Sequence, residues 1–366
     1  MLSLVAVSTL LLGANALTPS NIMRRTDGSL TGIKYTGVGG SGSYQEVTNM
    51  VAGTWPSCTA NPSCEQSPKE VSGNLAPFDD EITVAFRGPL NVKNIAVYQP
   101  GNSSAATWSQ TSSWAAGGDT NNLVFMNNMG GGLSGEWTIC GGASQSYANG
   151  TWDGSAASPT TGSSGYLPET MEINIMTNET CADSACSGFS RGTANHGWSG
   201  SKLMVLTFNM PPSSDASNVP AIWALNAQVV RAAQYGCNCR GEGGNGGCGE
   251  LDILEVIAGS DTDNAISEIY SFKGATGSGA SAFPRPTGDD VTYGVIFDVQ
   301  SDTIAIQQFT EWDFTQNAVP RSIIEGYLGA SGAMAVSFSS NARRADRRSI
   351  FVWLVLVSTL FWFWLD

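Results

Sequence analysis

The chain has 366 residues, enough for one large all-β domain or two of medium size, so a small disulfide-stapled miniprotein is excluded. Lys and Arg total 17 against 31 Asp and Glu, a formal charge of -14 with a pI near 4.4, which argues against phosphate backbones and other polyanions and favours a neutral or cationic partner. Charged residues are only 13% of the chain and Gly accounts for 43 positions, the profile of an extracellular β-rich protein rather than a cytosolic helical enzyme.

The apolar run 2–12, followed by Gly13, Ala14, Asn15 and Ala16, reads as a secretion signal (1–16) cleaved after Ala16 and is too short to span a bilayer. Residues 17–104 then read as a Gly-rich β region expected to contribute strands to a sandwich, with strand-like runs at 82–86 and 92–98. Residues 105–338 form the main sandwich region, with runs at 123–126, 171–176, 203–209, 222–230, 251–257, 266–272, 291–299 and 304–309 separated by Gly, Pro, Ser and Asn clusters. The stretch 141–165 is rich in Gly, Ser, Ala and Thr and reads as a loop or an interdomain linker. The best helical candidate, 221–233, also suits a half-buried strand. Residues 299–304 read as a hairpin turn. Together these elements predict an antiparallel β-sandwich.

Eight Cys, at 58, 64, 140, 181, 186, 237, 239 and 248, imply disulfides in an exported chain. Cys58 with Cys64 and Cys181 with Cys186 are close enough to clip local loops. A zinc site is disfavoured by a single His and the lack of paired Cys-x-x-Cys knuckles. Sequons at Asn102, Asn149 and Asn178 agree with the secretory route. At the other end, the small residues Ser339, Ser340, Asn341 and Ala342 precede a basic spacer and an uncharged run at 349–365. That order predicts a GPI-attachment signal, with Asn341 as the anchor site and 342–366 removed; a plain transmembrane helix fits less well, because only Asp366 follows the apolar run.

The strongest local signal is Glu250-Leu251-Asp252-Ile253-Leu254-Glu255. Alternate residues of a strand share a face, so Glu250 and Asp252 project together while Glu255 has the wrong parity. One extra residue, a β-bulge near Ile253 or Leu254, would turn Glu255 onto the same face. Three acids in a row oppose joint ionisation, so at least one holds its proton near neutral pH. One ionised and one protonated carboxyl are what glycoside hydrolysis requires. A calcium site or a solvated acidic strand is the competing reading; calcium loops draw their ligands from irregular backbone, and a solvated strand would not interleave Leu and Ile so strictly.

These residues resemble the Glu-x-Asp-x-x-Glu signature of glycoside hydrolase family 16, and Pro220-Ala221-Ile222-Trp223-Ala224-Leu225 is similar to the strand that family places beside it. Gly88 to Gln99 resembles the family's final strand, displaced to the N-terminal side. Tyr35 to Tyr44, Leu75 to Asp79 and His196 to Gly200 add further matches. In this order the chain resembles the fungal GPI-anchored cell-wall protein family of probable circularly permuted 1,3-β-glucanases. The resemblance implies a permuted jelly-roll, concanavalin-like sandwich and a retaining endo-acting glucanase at the cell wall and outer cell surface. It gives Glu250 the role of nucleophile, Glu255 that of acid/base and Asp252 that of the carboxylate between them. Trp223 is a sheet-face aromatic or core residue, and His196, Trp198, Tyr270 and Phe272 are weaker candidates for sugar contacts. A transglycosylase using the same residues, or a non-catalytic glucan-binding wall protein, are the alternatives. No Gly-x-Ser-x-Gly elbow accompanies His196. No organic cofactor, metal or nucleic acid is expected; the expected partners are cell-wall β-glucan and the GPI lipid, and the expected state is a monomer.

Overall fold

The computed structural model describes residues 28–50, 64–127, 129, 146–159, 164–188, 195–229, 238–240, 247–259, 261–330 and 333–338. The expected secretion signal, the GPI segment with Asn341, and Cys58, Cys140 and Cys237 lie outside them, as does the side chain of Cys64.

In chain order the elements are β1 (Gly32–Thr36), β2 (Gly42–Met50), β3 (Cys64–Val71), β4 (Ile82–Arg87) and β5 (Leu90–Pro100). Next come β6 (Thr107–Ala115), β7 (Thr120–Asn121), β8 (Val124–Asn127), β9 (Ser146–Ala148), β10 (Ser155–Ala156), β11 (Tyr166–Leu167) and β12 (Glu172–Met176). The second half contributes β13 (Lys202–Asn209), β14 (Ala221–Asn226), β15 (Glu250–Val256), β16 (Asn264–Ser271), β17 (Gly274–Gly277) and β18 (Phe283–Pro284). The last elements are β19 (Val291–Asp298), β20 (Thr303–Phe309), β21 (Ala318–Pro320), the helix α1 (Arg321–Leu328) and β22 (Met334–Ser337).

The strands form two large sheets. One runs β21-β6-β5-β13-β19-β20-β1-β22, the other β10-β9-β8-β12-β4-β14-β15-β16-β17, and β2 with β3 makes a separate ribbon. Pairing is antiparallel except between β1 and β22. Strand alternation explains the layering: Ile82, Val84 and Phe86 of β4 enter the main core, while Ala85 faces the outer side of the second sheet. Ile222, Leu251, Val295 and Ile306 meet them from both sheets, giving the two-layer β-sandwich expected from the sequence. The far side of the first sheet carries a second apolar layer, where Tyr98, Trp108, Val205 and Phe309 pack under Ile324 of α1. The expected hairpin joins β19 to β20. Its turn residue Asp302 takes a positive φ of 51°, and its Oδ1 accepts from the backbone N–H of Gly39 and of Leu75, each at 2.7 Å.

The candidate helix within 221–233 is strand where described, because β14 lies between β4 and β15 and is buried along its whole length. Beneath the loop before β4, the fully buried Lys202 ammonium donates to the carbonyls of Phe78 at 3.1 Å and Trp198 at 2.8 Å. Burial pushes its pKa down to about 7.

Trp198 is 1% exposed within the main core, and its Nε1–H donates to Ser112 Oγ at 2.9 Å. Phenylalanine there would leave a void and strand a buried hydroxyl. Trp198→Phe is therefore expected to lower unfolding stability by roughly 2–3 kcal/mol, measured by urea denaturation.

Candidate active site

β15 is built around one irregularity. Against β14, Leu254 pairs with Ile222 and Asp252 pairs with Trp223, so Ile253 is the extra residue. The same shift recurs against β16, where Asp252 faces Glu268 and Glu255 faces Ile266. Ile253 and Leu254 both enter the core at 0% exposure. A β-bulge thus restores parity, and Glu255 joins Glu250 and Asp252 on the outer face of the sheet. Side-by-side register completes three rows across that face: Thr83, Leu225, Glu250 and Tyr270; then Ala85, Trp223, Asp252 and Glu268; then Arg87, Ala221, Glu255 and Ile266.

The three acids line one cavity of about 200 Å³ together with Arg87, Trp223, Arg240 and Tyr270. Glu250 and Asp252 are each 5% exposed, and the Glu255 side chain 26%. Arg240 Nε lies 2.8 Å from Glu250 Oε2, a charge-assisted contact. Arg87 Nη2 stands 3.5 Å from Glu255 Oε1, while its Nε–H donates to the Val219 carbonyl at 2.9 Å and its guanidinium lies 5.6 Å from the Trp223 ring centre. Burial, followed by the charges of Glu255 and Glu250, raises the Asp252 carboxyl well above the usual carboxylate range, against the pull of Arg240. Burial likewise raises Glu255, with Glu268 adding to it and Arg87 opposing. Tyr270 donates its hydroxyl to Glu268 Oε2 at 2.6 Å, and burial raises its phenol. The arrangement offers buried carboxyls that resist joint ionisation and two guanidinium groups that hold charge at either end of the row.

Of the aromatic candidates, Tyr270 and Trp223 line this cavity. Trp223 is only 3% exposed and packs among Tyr44, Leu225 and the Cys239–Cys248 disulfide while one side of it borders the cavity. Three of the residues expected to contact sugar lie outside the lining of this cavity. Trp198 belongs to the core. Phe272 supports the ribbon, since Gly42 sits so close to its ring that an added Cβ would come within 2.3 Å. His196 lies outside the cavity lining: its Nδ1 and Glu81 Oε1 are 2.8 Å apart, and its Nε2 meets Ser184 Oγ at 2.8 Å. Against the opposing effect of burial, Glu81 and Glu179 raise its pKa. Glu81, His196 and Cys186 come together there, but the Cys186 sulfur is bonded to Cys181 and is not a thiolate ligand. Asn102 and Asn178 are exposed and Asn149 is half-buried.

Sequence reading missed Arg87, Arg240 and Glu268. Glu268 was within reach, two residues from Tyr270 on the same strand face. Arg87 shares parity with Ala85, a weak signal. Arg240 follows Cys239, and its approach to Glu250 depends on the disulfide to Cys248 that no spacing rule identifies.

Two family models match the chain, that of the cell wall protein YJL171C/Tos1 N-terminal region over residues 31–100 and that of its C-terminal region over residues 106–325. A Schizosaccharomyces pombe protein named "probable circularly permuted 1,3-beta-glucanase" is 35% identical over 252 residues, 64% of this chain and 48% of that protein, so the match spans about half of its length. Relatives of the same name are 29% identical in Saccharomyces cerevisiae, over 78% of this chain and 77% of that protein, and 30% identical in Candida albicans, over 82% of each. No solved structure matches the chain significantly. With a matching region that covers most of the sandwich and relatives aligned along four fifths of their length, the chain belongs to the YJL171C/Tos1 family of cell wall proteins.

Proposed function

We propose that the protein is a retaining hydrolase of cell-wall 1,3-β-glucan, with Glu250 as nucleophile, Glu255 as acid/base and Asp252 as the carboxylate that orients and tunes Glu250. The observation that supports this most is the bulge, which gathers the three acids in one cavity, in a chain whose relatives are named "probable circularly permuted 1,3-beta-glucanase". Glu250 attacks the anomeric carbon as a carboxylate, its charge matched by the Arg240 guanidinium at 2.8 Å. Glu255, whose carboxyl burial shifts toward the protonated form, gives its proton to the departing glycosidic oxygen. The resulting carboxylate then takes a proton from the water that opens the glycosyl-enzyme ester. Asp252, whose pKa is raised by burial and its two neighbours, carries a proton between the acids and limits their repulsion. The neutral, hydroxyl-rich substrate suits an acidic cleft that would repel polyanions.

Three outcomes are expected. Glu250→Ala lowers reducing-sugar release from laminarin by at least ~10³-fold; undiminished release removes Glu250 from the mechanism, and a labelled oligosaccharide acceptor in the same assay reports whether water or sugar takes the glycosyl group. Arg87→Met removes a charge that lowers the Glu255 pKa, so the alkaline limb of kcat/KM moves to higher pH, read from a pH–rate profile. Because the Asp252 pKa is raised in the folded state, native protein binds more protons than unfolded protein above the ordinary carboxylate range, and stability falls as pH climbs through that window. Asp252→Asn therefore melts above the wild type at pH 7 by a few degrees, and the difference disappears below about pH 3, as followed by thermal denaturation.

A further inference from the structure

Two hydroxyl side chains meet in the apolar core between the sheets. Ser267 of β16 and Tyr35 of β1 are each 0% exposed, and they come from opposite sheets and from positions 232 residues apart. Burying a polar group is costly unless it is hydrogen-bonded, and alanine with phenylalanine would fill nearly the same space without that demand. Their bonds lead to the strand that carries the acids. Ser267 Oγ–H donates to the backbone carbonyl of Asp252 at 2.6 Å, which commits its only proton, so Tyr35 is the donor in the 2.8 Å contact between the two hydroxyls. Burial raises the Tyr35 phenol, so it keeps the proton that it donates. Asp252 is the last residue in regular register before the shift on both flanks of β15. The accepting carbonyl therefore stands where the bulge begins, between Glu250 and Glu255 in the chain.

We propose that Tyr35 and Ser267 are positioning residues for the hydrolysis: their relay across the core holds the Asp252 carbonyl, and through it the turn of the bulge that presents Glu255 beside Glu250. This rests on the hydrolase reading above and goes beyond it, because neither side chain lines the cavity. Tyr35 is itself anchored on both sides, pairing with Ile304 of β20 and Val336 of β22. The first sheet is thus the fixed end of the relay. Packing of Ile253 and Leu254 favours a bulge, but apolar burial is non-directional. The two hydrogen bonds have direction, and they fix where the carbonyl points. Precision of that kind matters for rate, since misplacing a reacting group by about 1 Å costs on the order of 10²-fold.

The test measures laminarin hydrolysis by the wild type, Tyr35→Phe and Ser267→Ala, with rates expressed per folded molecule. Loss of the relay lets Glu255 move toward water, away from the burial that raises its carboxyl. The charged groups around it are Asp252 on its own strand, Arg87 of β4, Glu268 of β16 and Arg240. Tyr35→Phe is expected to lower kcat ~10-fold and Ser267→Ala ~10²-fold, with KM held within about twofold. In both variants the alkaline limb of kcat/KM is expected to move to lower pH. A pair that serves stability alone would lower the melting temperature and leave kcat and the limb in place. Unchanged kcat, or a lower kcat with the alkaline limb unmoved, would overturn the positioning role and leave the hydrolase standing. No turnover by the wild type would remove the hydrolase reading and this inference with it. Tyr35→Phe keeps its ring in the core and decides the matter even if Ser267→Ala does not fold.

Discussion

One additional residue in one strand governs the chemistry of this protein. A regular β15 would send Glu255 into the space between the sheets, where Ile253, Leu254 and Val256 lie fully buried, and an unpaired carboxylate there would cost several kcal/mol. The bulge gives up a regular ladder pairing on both sides of the strand. What offsets this loss is the burial of two consecutive large aliphatic side chains, each contributing about 1.5–3 kcal/mol. The core therefore fixes the bulge, and the bulge fixes the acids. No contact among the acids themselves favours the arrangement, since their charges oppose one another.

Holding repelling groups in a buried cleft needs cations placed with equal care, and these come from distant parts of the chain. Arg87 reaches Glu255 from β4, steadied by the Val219 carbonyl and the Trp223 ring. Arg240 reaches Glu250 from a loop fixed by a disulfide and by the ribbon. A charged centre embedded in a large apolar sandwich is the usual compromise between stability and activity. The two guanidinium groups also divide the row unevenly: Arg240 meets Glu250 at a short distance, whereas Arg87 stands 3.5 Å from Glu255. Charge compensation is thus stronger at the carboxylate proposed to stay ionised and weaker at the one proposed to hold a proton.

Legibility in the sequence followed the same physics. Short apolar runs, such as those at 82–86, 203–209 and 291–299, could be read as strands because both faces are buried, and the bulge could be read because Glu255 broke the alternation set by Glu250 and Asp252. β6 was not foreseen, since its Ser and Thr residues resemble a loop, and its Trp108 and Trp114 serve apolar layers on opposite faces of the sheet. The ribbon strands β2 and β3 are polar and pair mainly with each other, so nothing in their pattern signals that Tyr44 roofs Trp223. Trp198 and His196 shared a motif-like segment, yet one turned into the core and the other toward Glu81, a divergence set by tertiary packing. α1 is short, and only Ile324 is buried along it, too little apolar periodicity to stand out.

The position of the N-terminal strands explains why the two regions matched by family models cannot be separate modules. β4 lies between β12 and β14 in one sheet, and β5 lies between β6 and β13 in the other. Each is hydrogen-bonded on both sides to strands from the C-terminal region, so removing them would leave four unpaired strand edges within otherwise continuous sheets. β1 adds a further link, set between β20 and β22. This is the topology expected when a sandwich has its old ends joined and a loop opened, as the relatives' name "circularly permuted" states. Permutation also shapes the candidate site. Arg87, at the end of β4, lies directly beside Ala221 of β14, whose other neighbour is Glu255. The acid and the cation that tempers it are 168 residues apart in sequence, and the site exists only when both regions have folded together.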